Sequence, residues 1–209
     1  MGLNTNGRNA MLTGGLGNAV THVSVHSAIP DSTGSNELSG GSYARQAVTW
    51  SAVANGVRSN SGELSHVIPA GQTAAFYGLW SALTAGTYYG SVPRVGEGEA
   101  ASGFGTVDSA GVTANAIQSA AHGLSNDARL VLTAVLAESL PTGLGSTTIY
   151  YVVGAATNTF QLSLTSGGAA VDITGQGELF WQRVVPEVFA SEGDLVAAAA
   201  SLVLSTVTI

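Results

Sequence analysis

The run Ala121-His122-Gly123-Leu124-Ser125-Asn126-Asp127-Ala128-Arg129-Leu130-Val131-Leu132, followed by Thr148-Ile149-Tyr150-Tyr151-Val152-Val153 and Asn158-Thr159-Phe160-Gln161-Leu162-Ser163-Leu164, decides the fold class. Its segments are rich in aliphatic, β-branched and aromatic residues, and Gly, Asn, Ser and Pro punctuate the gaps. Consecutive antiparallel strands joined by tight turns have this pattern. Ala169 to Thr174 and Glu178 to Val185 supply two more expected strands, so Val112 to Trp181 reads as a small all-β module.

Working outward, the N-terminal part keeps a period of two after a short expected helix from Asn4 to Leu12, ended by Gly14-Gly15. In His22-Val23-Ser24-Val25-His26 the valines share one face while His22, Ser24 and His26 share the other, the signature of a half-buried strand. Tyr43–Trp50, Glu63–Ile68, Thr73–Trp80 and Gly86–Val92 read as further strands, with Pro69-Ala70-Gly71-Gln72 as a turn. The stretch Ala28 to Ser42 is expected to be an exposed loop. Pro93 to Gly111, with Gly at 96, 98, 103, 105 and 111, reads as a linker. Val196 to Ala200 is apolar enough for a helix, whereas Ser201 to Ile209 favours a strand. Short strands at this spacing predict a β-sandwich or jelly-roll-like body and exclude a βαβ fold.

Composition narrows the function. Charged residues make up 9% of the 209, against about 25% in typical soluble domains, and the formal charge is −7. A surface so poor in charge is suited to being covered by neighbours, so a subunit of an assembly is expected. The basic residues are six dispersed arginines, Arg8, Arg45, Arg58, Arg94, Arg129 and Arg183, and they form no stripe; nucleic-acid binding is not expected. Cysteine is absent, which removes disulfides, thiolate metal sites and Cys nucleophiles. No run approaches the ~20 apolar residues of a membrane helix, and no signal-peptide pattern opens the chain. We therefore expect a soluble chain with no membrane association.

Three constellations carry the residue types of chemistry without its geometry. His22 and His26 stand ~13 Å apart on a strand, too far to share a metal, and are expected to be polar strand-face residues. Glu97, Glu99 and Asp108 have the acids of a glycosidase, but a Gly-rich linker is a poor platform for holding two carboxylates at a fixed separation. His122, Ser125 and Asp127 have the composition of a nucleophilic triad, yet lie almost contiguously in one turn. Gly14-Gly15-Leu16-Gly17 and Gly103-Phe104-Gly105 lack the Lys-Ser/Thr of a phosphate loop. No catalytic residue, metal or cofactor is assigned. Among the aromatic residues of the first strands, Trp50 and Phe76 are the expected core members.

Two resemblances sharpen these expectations. The words His122-Gly123-Leu124-Ser125-Asn126, Tyr150-Tyr151-Val152-Val153 and Thr159-Phe160-Gln161-Leu162-Ser163 resemble, in order and spacing, a module that recurs in bacteriophage tail and virion proteins. That module usually reads Asn-Gly-Asp where this chain has Asn126-Asp127. Upstream, Val23-Ser24-Val25-His26-Ser27-Ala28-Ile29-Pro30, Asn36-Glu37-Leu38-Ser39-Gly40-Gly41-Ser42-Tyr43 and Ala75-Phe76-Tyr77-Gly78-Leu79-Trp80 resemble a phage virion family labelled tail fibre or minor tail protein. In that family the segment ending in Tyr88-Tyr89-Gly90 runs directly into a Pro-Glu-x-Phe strand pair, here Pro186-Glu187-Val188-Phe189. The resemblance thus implies a main domain of residues 1–111 plus 183–209, with a second β module, 112–182, inserted in a loop. It implies a non-enzymatic structural component of a tailed-phage virion, a minor tail or tail-fibre subunit that docks on other virion proteins at the particle surface. A capsid decoration subunit is the alternative, and a host-glycan-binding module, with Tyr150, Tyr151 and Trp181 as stacking residues, is a second. A homo-oligomer is expected, a trimer by analogy with other phage surface subunits.

Overall fold

The computed structural model describes residues 5–95, 102–135 and 138–205. The chain forms two compact units, Met1–Val92 with Pro186–Ile209, and Pro93–Val185. Both are built from strands.

The first unit opens with helices α1 (Thr5–Gly14) and α2 (Leu16–Ala19). Seven strands follow: β1 (His22–His26), β2 (Gln46–Ala47), β3 (Val57–Ser59), β4 (Leu64–Ile68), β5 (Gln72–Ala74), β6 (Phe76–Trp80) and β7 (Tyr88–Pro93). The second unit contributes β8 (Ser102–Val107), helix α3 (Ser109–Ala114), β9 (Ala116–Gln118), β10 (Arg129–Ala134), β11 (Tyr150–Val153), β12 (Thr159–Ser163) and β13 (Gly177–Val184). The chain then returns to the first unit with β14 (Glu187–Phe189), β15 (Gly193–Ala197) and β16 (Val203–Ser205). Val196 therefore lies on a strand, and the helix alternative at this position is not taken.

In the first unit, one sheet runs in the order β2-β1-β6-β7. The remaining strands pair as three ribbons, β14 with β5, β15 with β4 and β16 with β3, where the two broad sheets of a sandwich were expected. Every ribbon joins a strand before the barrel to one after it, so the first unit is completed only by the last stretch of chain. Val23, Val25, Leu38, Ile68, Leu79, Phe189, Leu195 and Leu204 share one core, drawing on both halves. Asn60 fastens the returning segment: its Nδ2 donates to Ala198 O at 2.9 Å and its Oδ1 accepts from Leu202 N–H at 2.9 Å. The β3 hairpin turns at Asn55-Gly56, both at positive φ, with Ala54 and Val57 exchanging backbone hydrogen bonds.

The second unit is a closed barrel in the order β10-β11-β12-β9-β8-β13. Closure removes free sheet edges. Phe160, Ile117, Leu130, Leu132, Leu162, Leu179 and Trp181 fill it. The expected linker is corrected here: Ser102–Val107 is a barrel strand and Asp108 caps α3. Its glycines have a packing reason, because a side chain at Gly103 would enter the Trp181 indole and one at Gly105 would enter Ile117. Ala169 to Thr174 forms no strand, only a bridge between Ser163 and Ala170. The ends of the unit meet: Val185 N–H donates to Arg94 O at 2.7 Å, and Arg94 Nη1 donates to Val185 O at 2.7 Å.

Candidate functional site

A buried polar constellation lies on β1. Burial covers both of its faces, so the half-buried strand expected from the alternation is corrected: Ser24 and His26 are fully buried, and only His22 is partly exposed. The cover on the polar face is the stretch after β1. There Asp31 Oδ1 accepts from the Thr33 hydroxyl at 2.6 Å, Thr33 N–H at 2.8 Å and Ser35 N–H at 3.2 Å. The Thr33 hydroxyl and these backbone donors hold the Asp31 carboxyl down to about 2. The expected open loop is thus an organised strap, fixed further by Leu38 N–H to Val25 O at 2.9 Å.

Beneath the strap the hydrogen bonds form a directed chain. Trp80 Nε1–H donates to Ser24 Oγ at 2.8 Å, and Ser24 Oγ lies 2.6 Å from His26 Nε2. His26 Nδ1 lies 2.8 Å from the Ser35 carbonyl, which can only accept, so Nδ1 carries the proton and Nε2 accepts from the serine hydroxyl. Burial pushes the His26 pKa down, keeping the ring neutral. Gly78, paired with Ser24 across the ladder, leaves the space that the Ser24 and His26 side chains occupy. At the margin, Arg45 stacks over the Trp80 ring at 3.5 Å and grips Glu37 through Nε at 2.8 Å and Nη2 at 2.7 Å.

A serine hydroxyl on a histidine Nε2 is the pairing of a nucleophile and its base. Here neither atom can meet a substrate, because both side chains are fully buried and the far imidazole nitrogen is spent on a backbone carbonyl. The pairing fastens strand, sheet and strap together. A second buried imidazole, His66, donates from Nε2 to Val23 O at 3.0 Å while its Nδ1 has no hydrogen-bond partner.

The remaining candidates are dispersed. His122 is buried, its Nδ1 accepting from Leu124 N–H at 2.9 Å and its Nε2 donating to Thr159 O at 3.3 Å. Asp127 points to the Ser166 hydroxyl at 2.7 Å and Gly167 N–H at 3.0 Å, and Ser125 lies exposed in the turn. The three do not converge. Asp127 stands at φ 67°, the left-handed conformation for which glycine is the usual residue. Asp108 Oδ1 accepts Gly111 N–H at 2.7 Å as a helix cap, which lowers its pKa. Glu97 and Glu99 lie outside the described residues. Among the described residues no group of three or more His, Asp or Glu side chains is placed to hold a metal ion.

The proposed stacking residues need correction. Trp181 is 1% exposed in the barrel core, its indole N–H donating to Ser119 Oγ at 3.1 Å, and Tyr150 is 3% exposed with its hydroxyl accepting from Gly145 N–H at 2.9 Å. Alternation turned these side chains inward with Leu179 and Val152. Tyr151, on the opposite face, is half-buried beside Arg129, whose guanidinium lies 5.5 Å from the ring centroid. Trp50 is also only partly buried, while Phe76 is buried as expected. A cavity of about 600 Å³ opens at one end of the barrel between Ala121–Leu124 and Ala155–Thr157.

The family model described as Podophage GP4 fiber I protein gp80 matches residues 8–118, from α1 through the first barrel strands to the end of β9. The chain belongs to this phage fibre family. That membership makes it a phage structural, fibre-type protein and associates it with the virion. No curated protein and no solved structure matches it. Among the described residues no helix is long and apolar enough to cross a membrane.

Proposed function

We propose that this member of the fibre family is a non-enzymatic virion subunit of the minor-tail or tail-fibre type, working by protein–protein docking at the particle surface. The family match over residues 8–118 is the observation that carries the reading. Two features support it. The Ser24–His26 pair is sealed and serves as a fastening, and the charge content of 9% suits a surface covered by neighbouring subunits. The first unit, closed by strands from both sides of the barrel, is the docking body, and it self-associates as a homo-oligomer.

Immunogold labelling of intact particles with an antibody to the barrel tests the assignment. Label confined to the tail is the expected result. Label spread over the head would replace this reading with capsid decoration, and unlabelled particles that lack the chain by mass spectrometry would overturn a virion role.

A further inference from the structure

The turn that opens β3 places an exposed asparagine directly before a glycine, a pair that can rewrite its own peptide bond. Asn55 and Gly56 are the two central residues of the hairpin, at φ 52° and 76°, and Asn55 is exposed at the tip. An asparagine carboxamide lies within reach of the backbone nitrogen of the residue that follows it. Once deprotonated, that nitrogen can attack the asparagine Cγ, closing a five-membered succinimide and expelling the amide nitrogen as ammonia. Glycine, with no Cβ to obstruct the approach, is the follower that permits this best. Water then opens the ring at either carbonyl. The product is aspartate or, with the main chain rerouted through the side chain, isoaspartate, and no reactant besides water is consumed.

The folded chain holds this bond in check. Two consecutive residues at positive φ make a type I′ turn, and Ala54 and Val57 fix it by exchanging backbone hydrogen bonds. Ring closure needs the Gly56 nitrogen aimed at the Asn55 Cγ, so it has to turn the peptide plane between them out of that geometry. The nitrogen is also engaged: Gly56 N–H donates to Asn9 Oδ1 on α1 at 2.6 Å. Gly56 is buried although its neighbour Asn55 is exposed. Helix and hairpin are tied a second time by Arg58, whose Nη1 donates to Leu12 O at 3.3 Å, and Leu12 is buried in the core of the first unit. The sequence holds a second Asn-Gly pair, Asn6-Gly7, which lies within α1 and serves as an internal comparison.

We propose that Asn55 is a self-modification site, deamidated through a succinimide with Gly56, and that Asn9 is its guard. While α1 is docked the bond is closed to reaction; when α1 lifts, the Gly56 nitrogen is released and the reaction proceeds. It does not reverse, so the turn keeps a record of each opening. The product adds a carboxylate, and the isoaspartate form adds one methylene to the main chain. A two-residue turn cannot take up that methylene without shifting β3 against β16, its partner from the returning segment. Modification therefore loosens the hold on the last strand.

The test incubates the full-length chain in mildly alkaline buffer and follows deamidation at each asparagine by peptide mapping and mass spectrometry. Wild type, N9A and N9D are compared folded, and wild type also unfolded in urea. The expected result is rapid reaction at Asn55 in urea and slow reaction in folded wild type. N9A, which removes the hydrogen bond to Gly56, is expected to raise the folded rate about threefold to tenfold, because the reaction follows the population of the open turn. N9D keeps an acceptor at that position and is expected to stay near the wild-type rate. Amide exchange of wild type measured by nuclear magnetic resonance gives a readout that does not depend on whether N9A folds: Gly56 N–H is expected to be protected, and exchange as fast as in an unstructured chain would overturn the guard. No reaction at Asn55 in urea, equal rates in folded and unfolded wild type, a folded N9A no faster than wild type, or modification of Asn6 with Asn55 intact would each overturn the proposal. Chain recovered with isoaspartate at position 55 is expected to exchange the amides of β3 and β16 faster, and unchanged exchange there would overturn the loosening of the last strand. None of these results bears on the particle-labelling test of the docking role.

Discussion

Ser24 and His26 stand two residues apart on one face of β1, the serine hydroxyl donating to His26 Nε2 at 2.6 Å with no solvent on either side chain. Ser24 also accepts the Trp80 indole N–H, so one hydroxyl satisfies two buried ring nitrogens at once. Leaving a buried polar group unpaired costs about 1–3 kcal/mol. S24A strands both and is expected to lower unfolding free energy by about 2–4 kcal/mol, measured by denaturant titration. A loss no larger than that of a surface substitution would show that water replaces the hydroxyl.

Acid is expected to weaken the first unit. Burial depresses the pKa of both His26 and His66 below 6.5; at His26 the Glu37 carboxylate partly opposes this and the Arg45 cation adds to it. As pH falls through 6.5 the unfolded chain takes up protons that the folded chain refuses, so stability is complete above that pH and declines below it. The melting temperature should fall between pH 7 and pH 5, and H66Q should flatten the slope. Asp31 acts lower still: its contribution is complete above 3.8 and fades toward about 2.

Asn60, 1% exposed, binds the returning segment through both ends of its amide. N60A leaves the Leu202 N–H and the Ala198 carbonyl without these partners. A loss of about 2–3 kcal/mol is expected, read as a lower denaturant midpoint. Protease cleavage should rise first within residues 186–205, and cleavage elsewhere first would argue against the clamp.

Among the described residues the strands of the first unit pair with one another, and the ends of the barrel unit meet at Arg94 and Val185. Excising residues 94–185 and joining Pro93 to Pro186 through a short Gly-Ser linker is expected to leave a cooperatively unfolding first unit. Truncating the chain before Pro186 should leave that unit unfolded, because β5, β4 and β3 then lose their partners. Circular dichroism and one-dimensional proton spectra of the two products decide it.

Within the barrel, Trp181 fills the centre against Phe160 and Gly103. W181A is expected to cost about 3–5 kcal/mol, the range for emptying a large aromatic site. If the cost instead stayed below that of an exposed residue, the burial assigned to Trp181 would be wrong.

Much of the strand content was legible because side-chain alternation and turn residues are local signals. Leu64–Ile68, Phe76–Trp80, Tyr150–Val153 and Thr159–Ser163 lie where their patterns put them. The three-residue β3 is too short for alternation to mark, and Asn55-Gly56 before it is its one local turn signal. The glycines at 103 and 105 read as a linker because flexibility and close packing use the same residue; Trp181 beneath them tells the two apart. Read from the sequence, Tyr150 and Trp181 suit a surface as well as a core, because alternation shows that two faces exist but not which one meets a core.

The sequence by itself determined that the chain is all-β, poor in charge and of phage fibre type, since composition, period and word order need no partner strand to be read. Only the tertiary structure decided that β8 through β13 close into a barrel and that strands β14–β16 complete the first unit. It alone showed that the polar face of β1 is covered. Each of these depends on pairing between residues distant in sequence, and long-range burial leaves no local mark in the chain.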